Sequence, residues 1–121
     1  MYRRYCIAGL VTDLDCDYPR TIRQAEAYRE DTQEEPAIRI PNQREKIPQY
    51  RHLNPELSLE DWEYVLTCQE FYLQLLDHQG MMVHASAVVL DGKAYLFSAD
   101  SGTGKSTHTQ LWLKRFPDAY I

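Results

Sequence analysis

The chain has 121 residues, of which 44% are hydrophobic and 26% charged, the composition of one modest globular domain or of part of a larger one. A formal net charge of −5 argues against general nucleic-acid affinity, and no apolar run approaches the ~20 residues of a membrane span. Three cysteines, Cys6, Cys16 and Cys68, an odd number without metal-like spacing, predict reduced thiols in a cytoplasmic protein.

The chain opens on a short basic stretch, Met1-Tyr2-Arg3-Arg4, and Ile7-Ala8-Gly9-Leu10-Val11 behind it is too short for a signal peptide. Residues 2–12 read as one strand with Tyr5, Ile7, Leu10 and Val11 as its apolar members, Gly9 marking a bulge or an edge. Residues 13–20 are acidic, end in Tyr-Pro-Arg and predict a turn. A short helix is expected over residues 21–29, followed by an acid-rich run over 26–35 that reads as a solvated face or mobile loop. Ala37-Ile38-Arg39-Ile40 predicts a short strand, and residues 42–55, with Pro48, Pro55 and alternating charge, a linker or long surface loop.

Ser58 followed by Asp61 is close to a capping box and starts the clearest helix, which Gly80 ends. At 100° per residue, Trp62, Val65, Cys68, Tyr72, Leu73 and Leu76 share the side expected to face the core. Glu63, Thr67, Glu70 and Gln74 fall on the other. Residues 81–90 form a nearly unbroken apolar run, as expected of a strand buried on both faces. Asp91-Gly92 is a two-residue hairpin signal that returns the chain through residues 93–98. His84 and Ser86 are the polar side chains of that first hairpin strand. A hydrogen-bonded core histidine is the ordinary outcome for His84; an imidazole that moves protons beside a phosphate is the functional one.

The chemistry-bearing stretch is Ala99-Asp100-Ser101-Gly102-Thr103-Gly104-Lys105-Ser106, with Thr107 behind it. It fits the phosphate-binding pattern G-x-x-x-x-G-K-[ST] except that Ala99 replaces the first glycine. Gly102 and Gly104 permit the positive φ that lets backbone N–H groups close around phosphate oxygens. Lys105 would reach the β/γ-phosphates, and the Ser106 hydroxyl would join a Mg²⁺ shell. Ala94-Tyr95-Leu96-Phe97 before the loop and Leu111, Trp112, Leu113 and Phe116 after it supply the strand and the helix that the motif requires. Phe116-Pro117-Asp118 ends that helix, and Ala119-Tyr120-Ile121 looks like the start of another strand. An acidic residue at the end of such a strand normally helps to hold Mg²⁺, so a truncated chain is expected.

His84-Ala85-Ser86-Ala87-Val88-Val89, Asp91-Gly92-Lys93-Ala94-Tyr95-Leu96-Phe97 and Asp100-Ser101-Gly102-Thr103-Gly104-Lys105-Ser106 together resemble the HPr kinase/phosphorylase group, and most closely its uncharacterised bacterial branch. The resemblance spans residues 80–116. It implies an α/β fold like that of HPr kinase and phosphoenolpyruvate carboxykinase, with a mixed sheet and a β-hairpin leading into the phosphate loop and a helix, incomplete at the C-terminus. It implies that Asp100, Ser101, Gly102, Thr103, Gly104, Lys105, Ser106 and Thr107 bind ATP, that Ser106 serves Mg²⁺ and that His84 lies near the transferring phosphate. Thr107-His108-Thr109 departs from the Glu-Thr-Ala usual in that group. The group's paired acidic residues, one of them the catalytic base, would lie beyond Ile121.

The organisation expected is an accessory segment of strands and loop over residues 1–55 and a partial nucleotide-binding domain over 56–121. The leading function is an ATP-dependent, serine-kinase-like phosphotransferase whose acceptor is a protein serine or a small-molecule hydroxyl, the chain alone being inactive. A nucleotide-binding regulatory module without transfer and a carboxykinase-like small-molecule enzyme are the alternatives. No nucleic-acid or membrane partner is expected, and a homo-oligomer is left open.

Overall fold

Ala8 (φ 54°) and Gly9 (φ 77°) both take up left-handed backbone, the geometry of a two-residue hairpin turn. The stretch expected to form one strand over residues 2–12 therefore folds back on itself, as β1 (Arg3–Ile7) and β2 (Leu10–Leu14). A computed structural model describes all of residues 1–121. The chain separates into two compact units, Met1–Met81 and Met82–Ile121. The boundary expected near residue 55 falls inside the first of these.

In the first unit β1 pairs antiparallel with β2, and β2 pairs parallel with β3 (Ile38–Ile40), giving a mixed three-stranded sheet of order β1-β2-β3. The parallel pair is joined through α1 (Pro19–Ala25) and a 3-10 turn, Glu26–Tyr28. The acid-rich run after that turn keeps its side chains largely in solvent, yet its backbone is held: Arg4 Nη1 donates to the carbonyls of Thr32 and Glu34, both at 2.9 Å. Tyr5, Leu14, Cys16, Ala25, Ile38, Ile40 and Leu75 form the main core. Ile38 and Ile40 are fully buried, each contributing about 1.5–3 kcal/mol. The segment expected to be accessory thus carries the mixed sheet and most of the core, making the fold α/β.

Residues 42–55, expected to be a linker, wind into consecutive helical turns, Arg44–Lys46, α2 (Ile47–Tyr50) and Arg51–Leu53. The Asn42 side chain accepts the Arg44 N–H at 2.9 Å and Pro48 stands in the first turn of α2, where its missing N–H costs nothing. Ile47 packs with Trp62 and Leu66 in a second, smaller core.

The long helix α3 (Leu59–Asp77) opens on a full capping box between Ser58 and Asp61. It closes with Gln79, not Gly80, in the left-handed conformation (φ 57°). The Gln79 and Gly80 N–H groups bond back to the carbonyls of Leu76 and Leu75 at 3.1 and 3.0 Å, the Schellman pattern. Its buried face differs from the expected one. Trp62, Glu63, Leu66, Thr67 and Leu75 are buried, whereas Val65, Leu73 and Leu76 are 41%, 55% and 60% exposed. The cause is Glu63: its carboxylate accepts the N–H groups of Asp17 and Tyr18 at 2.8 and 2.9 Å. Those are donors ahead of α1 that would otherwise be orphaned. Satisfying them turns the charged residue inward.

The second unit holds β4 (Ser86–Leu90) and β5 (Lys93–Phe97), an antiparallel hairpin, and α4 (Lys105–Arg115). Asp91 (φ 51°) and Gly92 (φ 71°) make its turn. The strand expected over 81–90 begins only at Ser86, and residues 81–84 are exposed. Val88, fully buried, is the one deep residue of β4, because α4 packs against β4 in a unit of only two strands. On its other edge β4 exchanges both backbone hydrogen bonds with Tyr120, Val89 N to Tyr120 O at 2.8 Å and Tyr120 N to Val89 O at 3.1 Å. No helix of either unit is long and apolar enough to cross a membrane.

Candidate functional site

The hairpin register sets the entry into the glycine-rich loop. Ser86 stands opposite Phe97, and just beyond this last pair the Ser98 hydroxyl donates to the His84 carbonyl at 3.1 Å. The His84 backbone is thereby held beside the residue that leads into the loop. Its side chain is exposed, so the core-histidine expectation does not hold.

Residues 99–104 turn on their own backbone. The Asp100 carbonyl accepts from the Thr103 hydroxyl at 2.7 Å and from Lys105 Nζ at 2.9 Å, and the Ala99 carbonyl accepts from Lys105 Nζ at 2.6 Å. The lysine ammonium lies across the start of the loop. Gly102 (φ 82°) and Gly104 (φ 95°) are both left-handed, and an added Cβ at either would meet nothing within 4 Å. The demand for glycine is therefore conformational, and it leaves the backbone open to close approach.

Gly104 is the N-cap of α4 and supplies no side-chain cap, and no acidic residue stands in the first turn. The first intrahelical bond is His108 N to Gly104 O at 2.9 Å. The N–H groups at the start of α4 thus face the loop without an intrahelical acceptor, at the positive end of the helix dipole. Ser106 and Thr107 are exposed on this turn. The Ser106 carbonyl is held by the buried Thr109 hydroxyl at 2.9 Å.

Beside the loop runs an open groove of about 470 Å³, bounded by Leu96, Phe97, Ser98, Ala99, Thr103, Gly104, Lys105 and His108. Of the expected site residues, Thr103, Gly104 and Lys105 line it. Asp100 shapes it through its carbonyl, while Ser101, Gly102, Ser106, Thr107 and His84 do not line it.

His108 is the residue that the motif did not single out. Its ring packs edge-on against Phe97 with centroids 4.6 Å apart, and its Nε2 accepts the Trp112 indole N–H at 3.3 Å. With Nε2 accepting, the neutral ring carries its hydrogen on Nδ1. The available signal was the spacing: His108 and Trp112 lie four apart, on one face of α4. Tyr95, Phe97 and Phe116 surround Trp112 at 4.9, 5.8 and 5.4 Å, so this aromatic cluster fixes the helix behind the loop.

No group of three or more His, Cys, Asp or Glu side chains is placed to hold a metal ion. Comparison with protein-family models, with curated proteins and with solved structures finds no match to the chain.

Proposed function

We propose that the loop over residues 99–107 binds the phosphates of a magnesium nucleotide, ATP, in a domain akin to HPr kinase that transfers the γ-phosphoryl group to a hydroxyl. The observation that carries this reading is the uncapped start of α4 with the Lys105 ammonium lying over the same loop. Two sources of positive potential converge there, the helix end and the lysine. On binding, Lys105 would exchange two neutral carbonyls for charged phosphate oxygens, a stronger class of hydrogen bond. The left-handed Gly102 and Gly104 leave no Cβ in the way.

Mg²⁺ would be held by the exposed Ser106 hydroxyl together with phosphate oxygens, and would neutralise phosphate charge. The backbone N–H groups of the loop and of the first turn of α4 would orient the phosphates. Asp100 and Thr103 keep the loop shaped through their mutual hydrogen bond. His84, tethered to Ser98 through its carbonyl, is the candidate for moving a proton to or from the acceptor hydroxyl. A nucleotide-binding module without transfer is the second reading. It is favoured by the absence of any carboxylate from the residues lining the groove, since transfer to a hydroxyl calls for a base.

Calorimetric titration of Mg-ATP into the chain and into Lys105→Ala tests the binding. A lost charge-assisted bond of about 1.5–3 kcal/mol weakens affinity roughly tenfold or more. No binding by a chain that circular dichroism shows to be folded overturns the nucleotide reading. Where ATP binds, transfer of labelled γ-phosphate to a serine-bearing acceptor selects the kinase.

A further inference from the structure

We propose that the first unit carries a second binding site, independent of the glycine-rich loop, for an apolar carboxylic acid. Its carboxylate would pair with Arg51 while its hydrocarbon part fills the cleft beside α2. Arg44, Ile47, Pro48 and Arg51 follow at i, i+3, i+4 and i+7 along the consecutive turns Arg44–Lys46, α2 and Arg51–Leu53, the spacing that gathers side chains on one helical face. All four line an open-sided cleft of about 440 Å³, which Tyr18 and Leu59 close from the starts of α1 and α3. That volume lies within the roughly 300–1,000 Å³ of small-molecule sites. Ile47, Pro48 and Leu59 give the cleft apolar walls. Leu59 is still 42% exposed, hydrocarbon that an apolar ligand would take out of water.

The charge in the wall decides the class of ligand. In a chain of net charge −5, the cleft is lined by two arginines and no acid. Arg44 is held by Asp17 at 2.5 Å. Arg51 differs: of the arginines in the first unit, it alone has no ion pair, no side-chain hydrogen bond and no aromatic ring beneath it. Its guanidinium therefore keeps its whole fork of N–H donors for a planar acceptor, the geometry that a carboxylate matches with two parallel bonds. A ligand cation would meet like charge, and a free inorganic anion would leave the apolar walls uncovered. The cleft thus selects a molecule with both parts, a hydrocarbon body and a carboxyl group, which is ionised at pH 7.

The test is a titration of the full ¹⁵N-labelled chain at pH 7 with 4-phenylbutyrate. It is compared with 4-phenylbutanamide, which keeps the hydrocarbon and loses the charge, and with butyrate, which keeps the charge and loses the ring. The expected result is a saturable shift of the Tyr18, Arg51 and Leu59 amides with 4-phenylbutyrate and an affinity about fivefold above that for the amide, the worth of a solvent-facing bidentate ion pair. Butyrate should bind about tenfold more weakly than 4-phenylbutyrate, because it buries less apolar surface. Arg51→Gln should bring the acid down to the affinity for the amide, and Leu59→Ala should weaken acid and amide by the same factor. Arg115→Gln, which removes an exposed arginine of the second unit, should leave the difference between acid and amide unchanged. The comparison of acid with amide in the native chain needs no variant, so it decides the matter should a variant misfold. Equal affinity for acid and amide, butyrate binding as tightly as 4-phenylbutyrate, no saturable shift, or a preference for the acid that survives Arg51→Gln would overturn the proposal.

Discussion

Arg4 and Asp13 stand directly opposite each other in the first hairpin and are joined by two hydrogen bonds, Nε to Oδ1 at 2.9 Å and Nη2 to Oδ2 at 3.0 Å. Asp13 is also in register with Arg39 of β3, whose guanidinium reaches it at 3.5 Å. A buried carboxylate therefore lies between two arginines across the whole sheet. Its face is opposite to the one that presents Tyr5, Ile38 and Ile40 to the core.

This arrangement predicts an acid-sensitive sheet. The hydrogen bonds from Arg4 hold the Asp13 carboxyl below its ordinary range, against the opposing effect of its own burial, and Arg39 adds to the lowering. A carboxyl depressed in the folded state contributes stability that is complete above its unfolded value, about 3.9. That contribution is lost as pH falls through the lower folded value. Urea midpoints measured from pH 6 to pH 2 should drop below about pH 4 in the native chain. The drop should be shallower in Asp13→Asn, which keeps the shape and loses the charge. Equal acid limbs in the two proteins would refute the assignment.

Glu63 supports a prediction of a different kind. It is fully buried and its two oxygens take the N–H groups of Asp17 and Tyr18, while Glu60 takes that of Arg20 at 2.6 Å. Glu63→Ala orphans two donors at about 1–3 kcal/mol each, so a loss of roughly 2–6 kcal/mol is expected. At about 4–8 °C per kcal/mol for a unit of this size, the melting temperature should fall by roughly 10 °C or more. Glu63→Gln retains one acceptor oxygen and should fall about half as far. Thermal denaturation followed by circular dichroism measures both.

What could be read from the residues depended on how local the determining interaction was. The Ser58–Asp61 box and the Asp91-Gly92 turn act within four residues and were legible. So were the short β3 and the strand, loop and helix order around residues 93–115. The first hairpin was missed because its apolar residues run on both sides of Ala8-Gly9 without a polar break, and a left-handed alanine is uncommon. The inward face of α3 was misjudged because Glu63 is buried for two N–H groups 45 and 46 residues away in the chain. No helical periodicity records such a bond. At the loop, Lys105 and the glycines could be named from spacing alone, whereas His108 gained meaning only once Phe97 and Trp112 were placed against it.

Gly80 predicts a steric effect. A Cβ there would lie 2.7 Å from Cγ and 2.9 Å from Cδ1 of Leu75, and Leu75 is 8% exposed within the main core. The leucine has little room to yield, so Gly80→Ala should cost about 1–3 kcal/mol, as overpacking does. Leu75→Ala would open space for the new methyl. The double variant should therefore be less destabilised than the sum of the single changes. Denaturant unfolding of the four proteins checks this, and strict additivity would show that the contact is relieved elsewhere.

The pairing of His108 with Trp112 makes the proposed nucleotide site observable without labels. His108 borders the groove beside Lys105, and its Nε2 holds the indole N–H of Trp112. Any phosphate that draws the His108 ring toward the loop must loosen that bond and alter the polarity around the indole. Trp62, buried in the first unit, is the other tryptophan, so Trp62→Phe isolates the signal, provided circular dichroism shows that variant folded. Mg-ATP should then change the Trp112 emission saturably, with the midpoint obtained by calorimetry. His108→Ala should abolish the change in emission while weakening binding less than Lys105→Ala does, because a neutral imidazole is a weaker phosphate partner than an ammonium. An unchanged emission in a chain that calorimetry shows to bind would place the phosphates away from this end of the groove.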